Sequence, residues 1–299
     1  MAETVPVLPG DRFREFEGYL RRVGFKFEKR PHQAFLARSG KLVVSLYESG
    51  KVVIAGRDEQ LEKEVRWFLS KLGATGEAMP EGLASAAGKM RIGTDEAGKG
   101  DYFGPLVVAG ALVDKGMEGR LVATKVRDSK RLSDKRILEI DKRIKRVLGE
   151  GRWEVLRIDP ERYNRLYSEV GNQNRILAWA HARVIENLLR HNTGCALAVV
   201  DEFSAASLAN ALMREGKAIR IVQSVRGERD IAVAAASILA RAEFIRRLEG
   251  IGNEFGIALP KGAWAVEDVA RGIVERGGKE MLSKAAKLHF RTTNKVIGL

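Results

Sequence analysis

The run Arg91-Ile-Gly-Thr-Asp95-Glu96-Ala-Gly98-Lys99-Gly100-Asp101-Tyr102-Phe103-Gly104-Pro105 sets two adjacent carboxylates beside a glycine-lysine-glycine turn. Hard divalent cations take oxygen ligands, and glycine lets a backbone come close, so this pairing suits a hydrated cation held near a phosphate. Asp201 closes the apolar run Ala198-Val-Val200, just as Asp95 follows Arg91-Ile-Gly-Thr94. A charge at the mouth of a buried strand costs stability unless it is solvated, paired or metal-bound. Two such ends on neighbouring strands can share an ion. A further acidic group, Glu228 and Asp230 in Arg226-Gly-Glu-Arg-Asp230, precedes an alanine-rich segment. Asp230 is a ready helix N-cap, whereas Glu228 has no such structural use and follows a glycine that permits close approach.

Gly93 to Lys99 also has the glycine and lysine spacing of a nucleotide-hydrolase phosphate loop. Gly100 stands where that loop needs a Ser or Thr hydroxyl, and Asp95 and Glu96 would oppose the phosphates of a nucleotide, which argues against that chemistry.

The elements that must position these acids read as alternating strands and helices. Met90 to Thr94 and Gly104 to Asp114 are expected strands on either side of the acidic turn, the second almost wholly apolar, as for a strand buried on both faces. Ser133 is a good cap for a charged helix to Leu148. A strand is expected near Trp153 to Ile158, a long helix over Gln173 to Arg190, strands at Leu197 to Val200 and Ile219 to Ser224, and a small-residue helix over Ile231 to Arg241. This order gives an α/β sheet, whose ligands gather at strand ends.

The segment ahead reads as a separate small unit. Phe13, Phe16, Leu20 and Val23 fall at helical spacing after Asp11, a plausible cap. Three extended pieces follow, around Gln33 to Arg38, Lys41 to Tyr47 and Lys51 to Ala55, then a helix over about Asp58 to Leu72. The glycine- and alanine-rich passage beyond it is the expected linker, with boundaries at 1–75, 76–88 and 89–299. Arg21 to Phe35 interleaves bases with aromatics, which suits either phosphates and sugars or a solvated loop over core phenylalanines. With fourteen basic and twelve acidic residues in 1–85, charge does not decide between them.

The chain as a whole is strongly basic, with 52 Lys and Arg against 39 Asp and Glu in 299 residues and a net charge of +13. That balance favours a polyanionic partner, nucleic acid first. The single cysteine, Cys195, cannot form an intrachain disulfide and reads as core packing. No run nears the ~20 apolar residues of a membrane span, and Met1-Ala-Glu-Thr-Val-Pro carries no basic-then-apolar leader. The expectation is a soluble cytoplasmic protein without membrane contact, acting as a monomer.

Taken together, Asp95-Glu96-Ala-Gly98-Lys99-Gly100 running into Phe103-Gly104-Pro105-Leu-Val-Val resembles the signature of type 2 ribonucleases H. Val199-Val200-Asp201, Asp128-Ser129-Lys130-Arg131-Leu132-Ser133 and Ala234-Ala-Ala-Ser237-Ile238-Leu-Ala240 resemble that family's other motifs. Asp101-Tyr102-Phe103-Gly104-Pro105, Pro160-Glu-Arg-Tyr163-Asn164, Lys287-Leu-His289-Phe290 and the extra N-terminal unit are similar to ribonuclease HIII rather than HII. The resemblance implies a ribonuclease H-like α/β catalytic domain, its mixed sheet flanked by helices, preceded by a small α+β domain of the TATA-binding-protein kind that grips substrate. It implies endonucleolytic hydrolysis of the RNA strand of an RNA–DNA hybrid, leaving 5′-phosphate and 3′-hydroxyl ends, with two Mg2+ or Mn2+ ions. The family's acidic quartet maps to Asp95, Glu96, Asp201 and Glu228, with Asp95 bridging and Asp230 as the alternate for the last. Gly98, Lys99 and Gly100 would sense the 2′-hydroxyl in the minor groove, and Ser129 and Lys130 would join them in substrate binding. The contrasting expectation is a non-catalytic nucleic-acid-binding protein with the same basic surface.

Overall fold

The computed structural model describes residues 6–31, 33–56, 58–76, 86, 89–124, 126, 132–201, 211, 219–224 and 230–298, and only the backbone of 59, 70, 75–76, 201 and 223–224. The chain divides into two compact units, Met1–Met79 and Pro80–Leu299.

In the first unit, β1 (Pro6–Val7) leads through a short 3-10 turn to α1 (Phe13–Arg22). Next come β2 (Lys26–Glu28), β3 (Gln33–Ser39), β4 (Leu42–Tyr47), β5 (Val52–Gly56), α2 (Glu59–Lys71) and β6 (Thr75–Gly76). Strands β2 to β5 form an antiparallel sheet in sequence order, and β1 pairs with β6. Phe16 and Leu20 of α1 and Val65 and Leu69 of α2 pack with Phe35, Val44, Leu46 and Val52 of the sheet, which is why the apolar spacing of both helices is 3.6 and that of the strands is 2.

The structure departs from two local expectations in this unit. The order is helix, four strands, helix, because Lys26-Phe27-Glu28 is an edge strand whose Phe27 lies opposite Ala37; three residues are too short to show a period. Asp11 lies inside the 3-10 turn and Arg12 holds the cap position without a side-chain cap bond. Of the interleaved aromatics, Phe25 and Phe35 are buried, while the Arg21 guanidinium sits 4.3 Å over the Phe27 ring.

The second unit is built on a five-stranded mixed sheet of order β11-β10-β7-β8-β9. Its elements are β7 (Arg91–Ala97), β8 (Leu106–Val113), α3 (Lys115–Ala123), α4 (Asp134–Leu148), β9 (Trp153–Ile158), α5 (Pro160–Val170), α6 (Gln173–His191), β10 (Leu197–Asp201), β11 (Arg220–Ser224), α7 (Ile231–Phe255), α8 (Glu267–Ala285) and α9 (Arg291–Ile297). Strands β7, β10 and β11 run parallel, and β8 and β9 antiparallel to their neighbours.

Every residue of β8 is buried. Val107, Ala109, Ala111 and Val113 pack into the core formed with α4 and α7, while Leu106, Val108 and Leu112 pack with Val184, Ile185 and Leu188 of α6. Alternation on a strand covered by a helix on each face thus produces the continuous apolar run. Small residues set the spacing. A Cβ on Gly93 would lie 2.2 Å from the backbone N of Val233, so the backbones of β7 and α7 approach this closely only because Gly93 has no side chain. The alanine-rich helix runs on to Phe255, well past Arg241, and Gly256 ends it in the left-handed conformation. Cys195 is buried in the α6-side core, where burial raises its thiol pKa. No helix among the described residues is long and apolar enough to cross a membrane.

Candidate active site

The acids expected in a turn belong instead to the end of β7. Its ladder with β8 continues through Asp95↔Ala109, Glu96↔Val108 and Ala97↔Val107, so the strand outlasts its apolar part. Local sequence favours a turn there because Asp, Glu and Gly are poor strand residues, and pairing with the strongly β-prone β8 overrides that preference.

Adjacent strand residues face opposite sides. Gly93 faces α7, and Asp95, two residues on, shares that face. Thr94 and Glu96 face α6, where both meet His181. The carboxylates therefore straddle the carboxyl end of the central strand. On the parallel neighbour β10, Ala198 pairs with Ile92 and Val199 with Gly93. Asp201 lies three residues beyond Ala198, as Asp95 lies three beyond Ile92, and it is the last residue of β10. Glu228, Ser129 and Lys130 fall outside the described residues. Among the described residues no three metal-capable side chains cluster; Asp95 and Glu96 stand side by side at the end of β7.

The Glu96 carboxylate is largely buried, with 14% of its side chain exposed. Its Oε1 lies 3.5 Å from the Lys99 ammonium. Its Oε2 is 3.3 Å from Nε2 of the fully buried His181, a contact too poorly directed to be a full hydrogen bond. Burial alone would raise the Glu96 pKa, but the neighbouring His181 and Lys99 more than offset it and hold the group below the ordinary carboxylate value. His181 Nδ1 is 2.8 Å from the Thr94 hydroxyl. A carboxylate only accepts, so the ring carries its proton on Nε2 toward Glu96 and Nδ1 accepts from Thr94. Asp95 Oδ1 accepts the backbone N–H of Glu96 at 2.8 Å. Two hard oxygen donors, one with a buried lone-pair site lacking a well-directed donor, fit a divalent cation.

Gly98 follows with φ +86°, and a Cβ there would sit 2.1 Å from the carbonyl oxygen of Pro105, so this turn admits only glycine. The chain then returns into β8 as a hairpin. A nucleotide phosphate loop leads from a strand into a helix, so the topology agrees with setting that reading aside. The turn is pinned from several sides. Gln173, the first residue of α6, donates from Nε2 to the Lys99 carbonyl at 3.1 Å, and Asp101 Oδ1 accepts the Gly262 N–H. The fully buried Lys287 donates from Nζ to the Gly104 carbonyl at 2.7 Å, and its own N–H bonds the Tyr102 carbonyl. Asn164 ties that closing segment to α5 through the carbonyls of Ser283 and Ala286 and the N–H of Leu288.

Asp230, the alternate for the fourth acid, is already engaged. It is 3% exposed; Oδ1 caps α7 by accepting the Ala232 N–H at 2.8 Å, and Oδ2 accepts from Arg91 Nε at 2.7 Å. Arg91 also reaches Glu118 and the Lys89 carbonyl. Sequence reasoning passed over His181, Gln173 and Arg91. The one available signal was a lone histidine among the apolar positions of the long helix, and such a residue is usually core.

Comparison with known proteins follows the same outline. The family model described as Ribonuclease HII matches residues 92–293. The chain is similar to the ribonuclease HIII of Chlamydia felis (strain Fe/C-56), 38% identical over 93% of this chain and 91% of that one. It is 36% identical to that of Chlamydia pneumoniae over 93% and 92%. Among solved structures it resembles Bst-RNase HIII in complex with Mn2+, at TM-score 0.70 and 30% identity with 98% of each chain covered. It also resembles Aquifex aeolicus RNase H3, at TM-score 0.56 and 27% identity, covering 96% and 100%.

Proposed function

We propose, because this chain belongs to the ribonuclease HII family and is a ribonuclease H enzyme whose relatives along nearly its whole length are ribonucleases HIII, that it cuts the RNA strand of RNA–DNA hybrids endonucleolytically. The products are 5′-phosphate and 3′-hydroxyl ends. The observation that carries this reading is the Asp95–Glu96 pair at the end of β7, with Asp201 at the matching position on the parallel neighbour.

Asp95, Glu96, Asp201 and Glu228 would hold two divalent ions, Mg2+ or Mn2+; a solved relative carries Mn2+. When bound, such ions supply the charge that activates water and steadies the leaving 3′-oxygen. The protein's part is positioning. Glu96 stays ionised in a largely buried place because His181 and Lys99 flank it. Gly98, Lys99 and Gly100 present a backbone held open by glycine to the minor groove, where the 2′-hydroxyl separates RNA from DNA. Ser129 and Lys130 contact the substrate backbone, and residues 1–75, joined through 76–88, grip the hybrid, with the enzyme working as a monomer. The basic balance of the chain supports a polyanionic substrate.

The test is a labelled RNA–DNA hybrid incubated with the protein and Mg2+ or Mn2+. Cutting confined to the RNA strand, with 5′-phosphate products, is expected, and Asp95→Asn should abolish it while hybrid binding persists. Binding without cutting by the unmutated protein would leave only a nucleic-acid-binding role.

A further inference from the structure

Helix α6 touches the site twice, and at two different things. At its first turn Gln173 donates to the Lys99 carbonyl at 3.1 Å, within the turn that follows the acids. Eight residues later, about 12 Å along the axis and on the same broad face, the fully buried His181 lies between Thr94 and Glu96. Just beyond these contacts the helix is packed tightly on the sheet. Gly110 of β8 leaves so little room that a Cβ there would lie 2.5 Å from Val184 Cγ1 and 2.8 Å from Leu188 Cδ1. His181 is the side chain that approaches the buried oxygen of Glu96. A polar ring in an otherwise apolar helix–sheet core is costly unless it is bonded, and both of its nitrogens face residues of β7.

We propose that α6 is the positioning element of this site: His181 orients the Glu96 carboxylate for a divalent cation, and Gln173 independently orients the Gly98-Lys99-Gly100 backbone for the nucleic-acid strand. The two are positioning residues, acting through Glu96 and through the turn. This rests on the proposed hybrid-cutting activity for what the site binds, but the division of labour along one helix is read from the contacts alone. Groups that orient a metal ligand alter metal affinity by 10- to 100-fold when removed. Loss of one ordinary hydrogen bond to a backbone carbonyl is worth roughly 2- to 10-fold.

The test uses the full-length chain and two readouts: Mn2+ affinity, measured without substrate by calorimetry or by the Mn2+-dependent rise in melting temperature, and hybrid affinity in a chelator. His181→Asn, whose amide reaches the Nδ1 position but not Nε2, should weaken Mn2+ binding by about 10- to 100-fold and leave hybrid affinity within about twofold. His181→Gln, which can place a donor near Nε2, should recover part of that loss. Gln173→Ala should do the reverse, weakening hybrid affinity by roughly 2- to 10-fold with the Mn2+ midpoint unchanged. If His181→Asn does not fold, Thr94→Val keeps the volume, removes the hydroxyl that orients the ring, and should shift the Mn2+ midpoint in the same direction by less.

Equal losses for the Asn and Gln variants at His181, an unmoved Mn2+ midpoint in His181→Asn, or changes in both readouts from Gln173→Ala would overturn the division of labour. An unmutated protein that bound Mn2+ and cut hybrid while the variants behaved so would leave the enzymatic reading intact. An unmutated protein that did neither would remove that reading and this inference with it.

Discussion

Replacing Asp230 by Asn separates structure from chemistry at the start of α7. The substitution keeps an oxygen that can accept the Ala232 N–H, so the cap survives. It removes the charge opposite Arg91 Nε and can set an amide donor against a guanidinium donor, in a place where both side chains are 3% exposed. Removing one partner of a buried pair costs about 3–5 kcal/mol, because the other charge is left behind. Arg91 retains Glu118, at 2.7 Å and 28% exposed, and the Lys89 carbonyl, so the lower end applies. About 3 kcal/mol in a unit of roughly 200 residues lowers the melting temperature by about 6–12 °C. Calorimetry on metal-free protein reads that shift. Hybrid cleavage at 25 °C, well below the transition, should stay within about threefold of the unmutated rate, since the lost interaction is made by Arg91, at the opposite end of β7 from the acids. Glu228→Gln should behave oppositely, with cleavage lost by at least about 100-fold and melting unchanged. A cleavage-dead Asp230→Asn with unaltered melting would refute the reasoning and make Asp230 the fourth metal acid.

Other expectations follow from the turn and its clamps. Gly98→Ala forces a side chain into a φ of +86° against the Pro105 carbonyl, costing about 1–3 kcal/mol for the backbone alone and on the order of 100-fold in cleavage through misplacement of the turn. Gly100→Ala, with nothing within 4 Å of its Cβ, should melt like the unmutated protein, and a matching loss of stability there would sink the steric argument. Burial depresses the Lys287 pKa from 10.5 to about 7, with Asp101 opposing the shift. Between those values the unfolded chain binds more protons than the folded one, so this group makes stability rise with pH from about 7 upward and contributes no slope below it. Lys287→Met should flatten the rise in melting temperature between about pH 7 and 9; parallel curves would show that Lys287 stays charged when folded. Removing residues 1–79 should weaken hybrid binding and make the fall of log affinity with log salt shallower, and an unchanged slope would deny that unit a phosphate-gripping role.

Much of the candidate site was legible in the chain because its residues stand in short contiguous runs. The acids at 95 and 96, the glycine turn after them and the strand end at Asp201 need only local patterns, and the β8 run announces burial on both faces by its lack of alternation. Ser133 and Asp230 were recognisable as caps from the residue type before an apolar helix, and both serve as caps. The end of β7 was misplaced by three residues because pairing with β8, a nonlocal term, decides it.

What only the tertiary structure decided is which groups meet. Arg91 and Asp230 are 139 residues apart in sequence, His181 and Thr94 are 87 apart, and Lys287 and Gly104 are 183 apart. Asp230 was legible as a helix cap, while nothing beside Arg91, His181 or Lys287 in the sequence names its partner. Burial imposes those partners, because a charged or polar group taken out of water must find a partner wherever the fold brings one. The type of chemistry could therefore be read from residue types along the chain. The fold decided which acid is consumed in holding the sheet to its helices: Asp230 caps α7 and pairs with Arg91, while Asp95 and Glu96 end β7.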